Sequence, residues 1–259
     1  MGGAIFRILG IVSALLLTSC LSDYNSPDLK EFKLRGKVKM IEETSYYAEE
    51  KFGEIQKGDK QAYSSEYRIE FDSAGRLVSY ELMDAEDGAL EAKIKYVHDD
   101  QNRIVETNEY DGEGELFRKE KAIYNDDGSI AEKTIYNNDG ELVRTTKYIY
   151  GDNSSNPSEL EEYNEEGKLL NKAEMYYDTR GNVTAMNVYD EDVFYGKVEY
   201  VYDQFDQVVK GVFYPEDEDL DESSQETTYV YDSNNNWISK TVIEDGEADE
   251  IVERVITYY

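Results

Sequence analysis

An aromatic residue followed four positions later by Gly, Asn or Asp, and six positions later by an aliphatic residue, recurs along most of this chain. The clearest copies begin at Phe71, His98, Tyr110, Tyr124, Tyr136, Tyr163, Tyr177, Tyr202 and Tyr231, with weaker ones near Met83, Tyr150, Tyr189, Tyr214 and Ile243. From Met83 to Tyr150 the steps are 15, 12, 14, 12 and 14 residues, so the true period is about 26 and holds two unequal halves. A half of this length fits one strand and one tight turn. Each period is therefore an up-and-down hairpin.

Alternation within the halves supports strands. In "LVRTTKYIY", Leu142, Arg144, Thr146, Tyr148 and Tyr150 share one side and Val143, Thr145, Lys147 and Ile149 the other. No long stretch carries apolar residues at three- and four-residue spacing, so helix is nearly absent. The "NDDG", "NNDG" and "EEG" stretches read as hairpin turns, because Asn and Asp tolerate left-handed backbone angles and bond their own backbone, while Gly accepts positive φ. Their spacing matches neither an EF-hand nor a nonapeptide calcium repeat.

How such a sheet is covered follows from where its apolar residues fall. Leu77, Ile104, Ile130 and Leu142, with Tyr96, Tyr148, Tyr200 and Tyr229, lie beside the turns; strand centres carry Glu81, Glu106, Glu132, Thr134, Arg144, Thr146 and Lys172. That distribution does not suit a thick two-layer sandwich. About fourteen to sixteen strands at roughly 4.8 Å each would run about 70 Å if flat, and open sheets beyond about ten strands curl or split. The expectation is an all-β, elongated and curled antiparallel meander of consecutive β-hairpins, held by tyrosine ladders and cross-strand Thr, Lys and Glu pairs.

Composition narrows the chemistry. With 27 basic and 58 acidic residues the chain has a net charge of −31, which repels nucleic acid and an anionic leaflet alike. The 24 tyrosines and 13% aromatic content argue for a folded chain despite that charge. The single histidine, His98, excludes a two-histidine metal site, and the single cysteine, Cys20, excludes an internal disulfide.

Cys20 closes the amino-terminal stretch "MGGAIFRILGIVSALLLTSC", which has one cation at Arg7, an apolar run from Ile8 to Leu17, and then Thr18 and Ser19. This resembles a bacterial lipoprotein signal peptide with its lipobox. The apolar run is too short for a spanning helix of about 20 residues. The resemblance implies cleavage before Cys20, acylation of that residue and a permanent membrane tether. Leu21 stands where an aspartate would signal inner-membrane retention in some bacteria, so the resemblance points to the outer membrane, on either face.

A second resemblance rests on "FDSAGRL" (Phe71–Leu77), "YDTRGNV" (Tyr177–Val183) and "YDSNNNW" (Tyr231–Trp237), which look like the YD repeat of the RHS family. It implies consecutive hairpins in one long curling sheet. The chain is too short for the shell of the large RHS toxins, and toxin delivery is not carried over.

The organisation expected is a signal peptide at 1–19, a lipidated tether at 20–30 and an N-terminal capping hairpin at 31–70, continuous with a repeat array at 71–259. "PEDEDLDESSQE", Pro215 to Glu226, reads as a solvated acidic loop. No catalytic, cofactor or metal residue is assigned, and lipid attachment at Cys20 is the one site. The function expected is a membrane-anchored, non-enzymatic envelope lipoprotein that binds a protein or glycan through its sheet surface. Two alternatives stand beside it: a carboxylate-based glycan hydrolase, and a toxin-associated or immunity component.

Overall fold

The repeated turn is built by one carboxylate or amide. In "DSAGR" the Asp72 side chain accepts from the backbone N–H of Ala74 (2.9 Å) and of Arg76 (3.0 Å), while the N–H of Gly75 bonds to the Asp72 carbonyl. Asp99, Asp111, Asn137, Asn164, Asp178, Asp203 and Asp232 repeat the arrangement. The fourth residue of each turn takes positive φ, as at Gly75 (82°), Asn102 (61°) and Asn235 (63°), and a register shift follows. This is a type I turn with a bulge, which sends the chain straight back antiparallel.

The computed structural model describes residues 26–61, 66–152 and 154–259. They form one short helix, α1 (Pro27–Glu31), and seventeen strands: β1 (Val38–Lys51), β2 (Glu54–Lys60), β3 (Glu66–Phe71), β4 (Leu77–Met83), β5 (Leu90–His98), β6 (Ile104–Asp111), β7 (Leu116–Tyr124), β8 (Ile130–Asn137), β9 (Leu142–Tyr150), β10 (Pro157–Asn164), β11 (Leu169–Tyr177), β12 (Val183–Asp190), β13 (Val193–Tyr202), β14 (Val208–Pro215), β15 (Ser223–Tyr231), β16 (Trp237–Glu244) and β17 (Glu247–Tyr258). From β3 to β17 every strand pairs antiparallel with the next. The expected all-β hairpin architecture is present.

The open meander is not. One edge of β1 pairs with β17 from Val38 to Tyr47; the other pairs with β3 from Met40 to Glu43. β1 thus joins the two ends of the array, and β1 with β3–β17 closes a barrel. β2 stands outside that cycle, pairing along β1 from Tyr46 to Lys51. Closure removes both long edges of a sheet that twist already curls. The 14-residue length of β1 lets it serve three partners.

Up-and-down topology puts alternate turns at one end. Residues 72–76, 99–103, 125–129, 151–152, 154–156, 178–182, 203–207 and 232–236 ring the end at which α1 lies. The acidic loop, exposed at 216–222, is at the far end.

The stretch expected as a tether also differs: residues 26–30 are part of α1 and its cap. Ser26 caps the helix, accepting from Leu29 N–H (3.1 Å), with Pro27 in the first turn. Leu29 and Leu34 are fully buried among Val38, Ile41, Ile69, Phe71 and Leu77. Burying each leucine is worth about 1.5–3 kcal/mol. Cys20 lies outside the described residues.

Candidate functional site

The segment from Ser26 to Arg35 touches the barrel wall at widely separated strands, which is possible only from inside. Ser26 Oγ donates to the Gly75 carbonyl at 2.5 Å, between β3 and β4. The Asp28 carboxylate accepts from Leu77 N–H (2.6 Å) and meets His98 Nε2 (2.9 Å). On the opposite arc the Lys33 ammonium donates to the Asp206 carbonyl and lies 4.8 Å over the Tyr202 ring. Arg35 N–H donates to Asn236 Oδ1 (2.7 Å), and Asn236 Nδ2 returns a bond to the Arg35 carbonyl (2.8 Å). The helix is a plug in one mouth. A Cβ at Gly75 would stand 2.8 Å from both Leu29 Cδ1 and Ser26 Oγ, so glycine there serves the turn and the plug together.

This contact fixes which face is inner. Thr107, Glu120, Ile135 and Arg144 follow one another as register partners inside the barrel, and Glu106, Lys121, Thr134, Thr145 and Tyr163 do so outside. Leu160, Met175, Met186, Val198 and Phe213 form an inner apolar cluster on β10–β14. The outer face is charged and hydroxylated at the strand centres and carries exposed apolar residues toward the plug end, among them Val97, Ile123, Ile149, Val201 and Val230. Its tyrosines are covered by lysines one repeat after another: Lys95 over Tyr110 (4.9 Å), Lys121 over Tyr136 (5.5 Å), Lys147 over Tyr163 (4.8 Å) and Lys172 over Tyr189 (4.4 Å).

Between the plug and β4–β12 lies a cavity of about 600 Å³, reached between the turns that carry Arg103, Ser129 and Asn182. Ile94, Ile104, Ala122, Ile130 and Val183 supply apolar wall; Tyr80, Tyr96, Tyr124, Tyr148 and Tyr177 supply rings. Glu31 enters from α1, Glu120 from β7 and Lys133 from β8. Lys133 pairs with Glu120 at 3.0 Å.

Burial raises the Glu31 carboxyl to about 7; Lys133 opposes that shift, and Asp28 and Glu120 reinforce it. Burial alone would lower Lys133, but Tyr148 and the carboxylates of Glu120 and Glu31 outweigh it and keep the ammonium charged. The Tyr148 hydroxyl is pushed up to about 12 by burial. These phenols stay neutral hydrogen-bonding groups.

The tyrosines expected to form ladders divide by face. Inner ones at the plug end staple strands: Tyr124, Tyr150, Tyr177, Tyr202 and Tyr229 each donate to the carbonyl of Ile104, Ile130, Pro157, Val183 and Val208, at 2.7–3.0 Å. Sequence reasoning missed Glu31, Glu120 and Lys133 as a group. The Ser26-Pro27-Asp28 run is a helix-start signal that could have placed Glu31 on a helix.

Among the described residues, no cluster of His, Cys, Asp or Glu has the makings of a metal site. No helix among them is long and apolar enough to cross a membrane.

No family model matches the chain, and no curated protein matches its sequence. Among solved structures, a porin-like protein from Bacteroides uniformis is similar over 85% of this chain and 98% of its own, with a TM-score of 0.55 and 14% identity. A porin-like protein from Bacteroides vulgatus aligns over 86% of this chain and 98% of its own, with a TM-score of 0.33 and 11% identity. The Photorhabdus luminescens Tc holotoxin pore aligns over 78% of this chain and 12% of that one, with a TM-score of 0.31 and 14% identity. The first likeness is one of fold, an antiparallel β-barrel.

Proposed function

We propose that this chain is a non-enzymatic binding lipoprotein of the bacterial cell envelope, anchored at Cys20 and built from YD-type hairpins, which holds a glycan on the inner surface of its sheet. The cavity carries this reading. Its volume lies in the range of small-ligand sites, and it joins apolar and aromatic walls to a few polar groups. The outer tyrosines are less suited to stacking on a sugar, because lysines cover them.

The charges at the strand centres of the outer face support anchoring rather than spanning. Lys121, Lys147, Glu106 and Glu132 stand where a transmembrane barrel needs an apolar band, and each lysine at a bilayer midplane would cost about 2–4 kcal/mol. The barrel faces water and the acyl chains hold it to the membrane, for which we favour the outer membrane.

Two experiments test this. Calorimetric titration of residues 21–259 with soluble oligosaccharides should find a ligand whose binding is lost in Tyr96→Ala and Tyr148→Ala; a blank panel would remove the glycan reading. Metabolic labelling with a palmitate analogue should mark the protein but not Cys20→Ser. Labelling that persists in the variant would remove the anchor.

A second reading has one observation behind it. Glu31 and Glu120 share the cavity outside the turns, as the acid pair of a glycan hydrolase would. Release of reducing sugar from a bound oligosaccharide, abolished by Glu120→Gln, would replace binding with hydrolysis.

A further inference from the structure

The Glu31 carboxylate is partly buried, lines the cavity and has no hydrogen-bond partner among the described residues. Its neighbours are already engaged. Lys133 pairs with Glu120, Asp28 holds Leu77 N–H and His98, Lys33 donates to the Asp206 carbonyl, and Arg103 is paired with Asp99 at 2.6 Å. Lys133, the cavity cation that acts on Glu31, is shared with Glu120, and Lys30, which also lines the cavity, has an interaction of its own. The Glu31 carboxylate is left without a hydrogen-bonded counter-charge. A buried charge is costly unless it is paired.

Around that charge stand Tyr96 and Tyr148. Neither hydroxyl has a hydrogen-bond partner among the described residues, and both rings line the same space. Ring faces attract cations, and free phenols accept and donate to hydroxyls. An anionic ligand would add to the unpaired charge, and a neutral one would leave it as it is. A ligand with one positive charge neutralises it.

We infer that the cavity selects an amino sugar, binding its ammonium group at the Glu31 carboxylate and its ring against Tyr96 and Tyr148. This rests on the glycan reading above and adds which glycan the site prefers.

Three β-1,4-linked disaccharides that differ only at carbon 2 test it: the glucosamine dimer (ammonium), di-N-acetylchitobiose (acetamide) and cellobiose (hydroxyl). Each is titrated calorimetrically at neutral pH into the full chain as the cell makes it, held in detergent micelles, and into Glu31→Gln and Glu31→Asp. The glucosamine dimer should bind roughly 10- to 100-fold tighter than the other two, the worth of one charge-assisted hydrogen bond. Glu31→Gln should erase that preference, and an unchanged far-ultraviolet circular dichroism spectrum shows that the variant is folded. Glu31→Asp should keep part of it. Equal binding of all three, or a preference that survives Glu31→Gln, overturns the ammonium assignment and leaves the glycan reading standing. Binding of none overturns both.

Discussion

Tyr150 donates its phenolic hydrogen to the carbonyl of Ile130 at 2.9 Å, 20 residues back in the chain. β8 and β9 are joined by a turn at the far end, so their plug-side ends are free of each other in the chain. The tyrosine staples them. Tyr259 does the same across the seam, bonding to the Phe71 carbonyl at 2.8 Å. The recurring aromatic residue is thus a fastener, set once per 26-residue period. Each bond should be worth about 1 kcal/mol. Tyr124→Phe, Tyr150→Phe and Tyr177→Phe should each lower unfolding stability in urea by that amount. Combined, they should add, since neighbouring staples sit about 10 Å apart, two strand spacings.

The seam between β17 and β1 holds Arg254, which donates to Glu43 Oε1 through Nε (2.9 Å) and Nη2 (2.5 Å) and lies 3.4 Å over the Trp237 ring. Its guanidinium is 7% exposed and its Nη1 has no partner among the described residues. Glu43→Gln leaves a buried cation uncompensated and should cost about 3 kcal/mol or more. Trp237 is the only tryptophan, so its fluorescence should report the loss directly.

Glu31 gives stability a pH dependence of unusual sign. A glutamate titrates near 4.3 in an unfolded chain, whereas burial, opposed by Lys133 and reinforced by Asp28 and Glu120, raises Glu31 to about 7 in the barrel. Between those values the folded protein binds more protons, so stability should rise as pH falls from 7 to about 4.5, by up to about 3 kcal/mol. Glu31→Gln should flatten that slope, stabilising the barrel at pH 8 and changing little at pH 4. Below about 4 the turns oppose it. The Arg103 backbone N–H and side chain hold the Asp99 carboxyl below the usual range, so its contribution is present above the unfolded value and lost as pH falls through the folded one. Thermal melts from pH 3 to 8 should show a maximum between the two limbs.

If the charged outer face meets water, Cys20→Ser protein should run as a soluble species on size-exclusion chromatography without detergent. Aggregation reversed only by detergent would assign the outer face to lipid.

The hairpins and their turns were legible because they are local. Asp72, Gly75 and Leu77 report their conformations through residues at fixed short offsets, and the alternation around Lys147 and Tyr148 named the faces correctly. Closure was not legible. It depends on Ile41 meeting both Ile256 and Ile69, contacts set by accumulated twist over the whole sheet and by nothing local to β1. The plug was hidden for a related reason. α1 has five residues, too few for helical periodicity, and the barrel wall stabilises it more than its own propensity does. Glu31 gained its role only once β7 and β8 brought Glu120 and Lys133 alongside, and 58 acidic residues conceal one such acid.

The account rests on a closed barrel that turns one face to water and the other to a small cavity. Neighbouring residues on β7 test this most directly: Lys121 is outside and exposed, and Ala122 lines the cavity. With the only native cysteine at position 20, Lys121→Cys and Ala122→Cys can each be labelled in the full chain as the cell makes it, with a small maleimide and with a large polyethylene-glycol maleimide. Both reagents should modify position 121, while at position 122 only the small one should react. Equal access of the large reagent to both positions would mean an open sheet. No access to position 121 would mean a face buried in lipid, and either result would contradict the account.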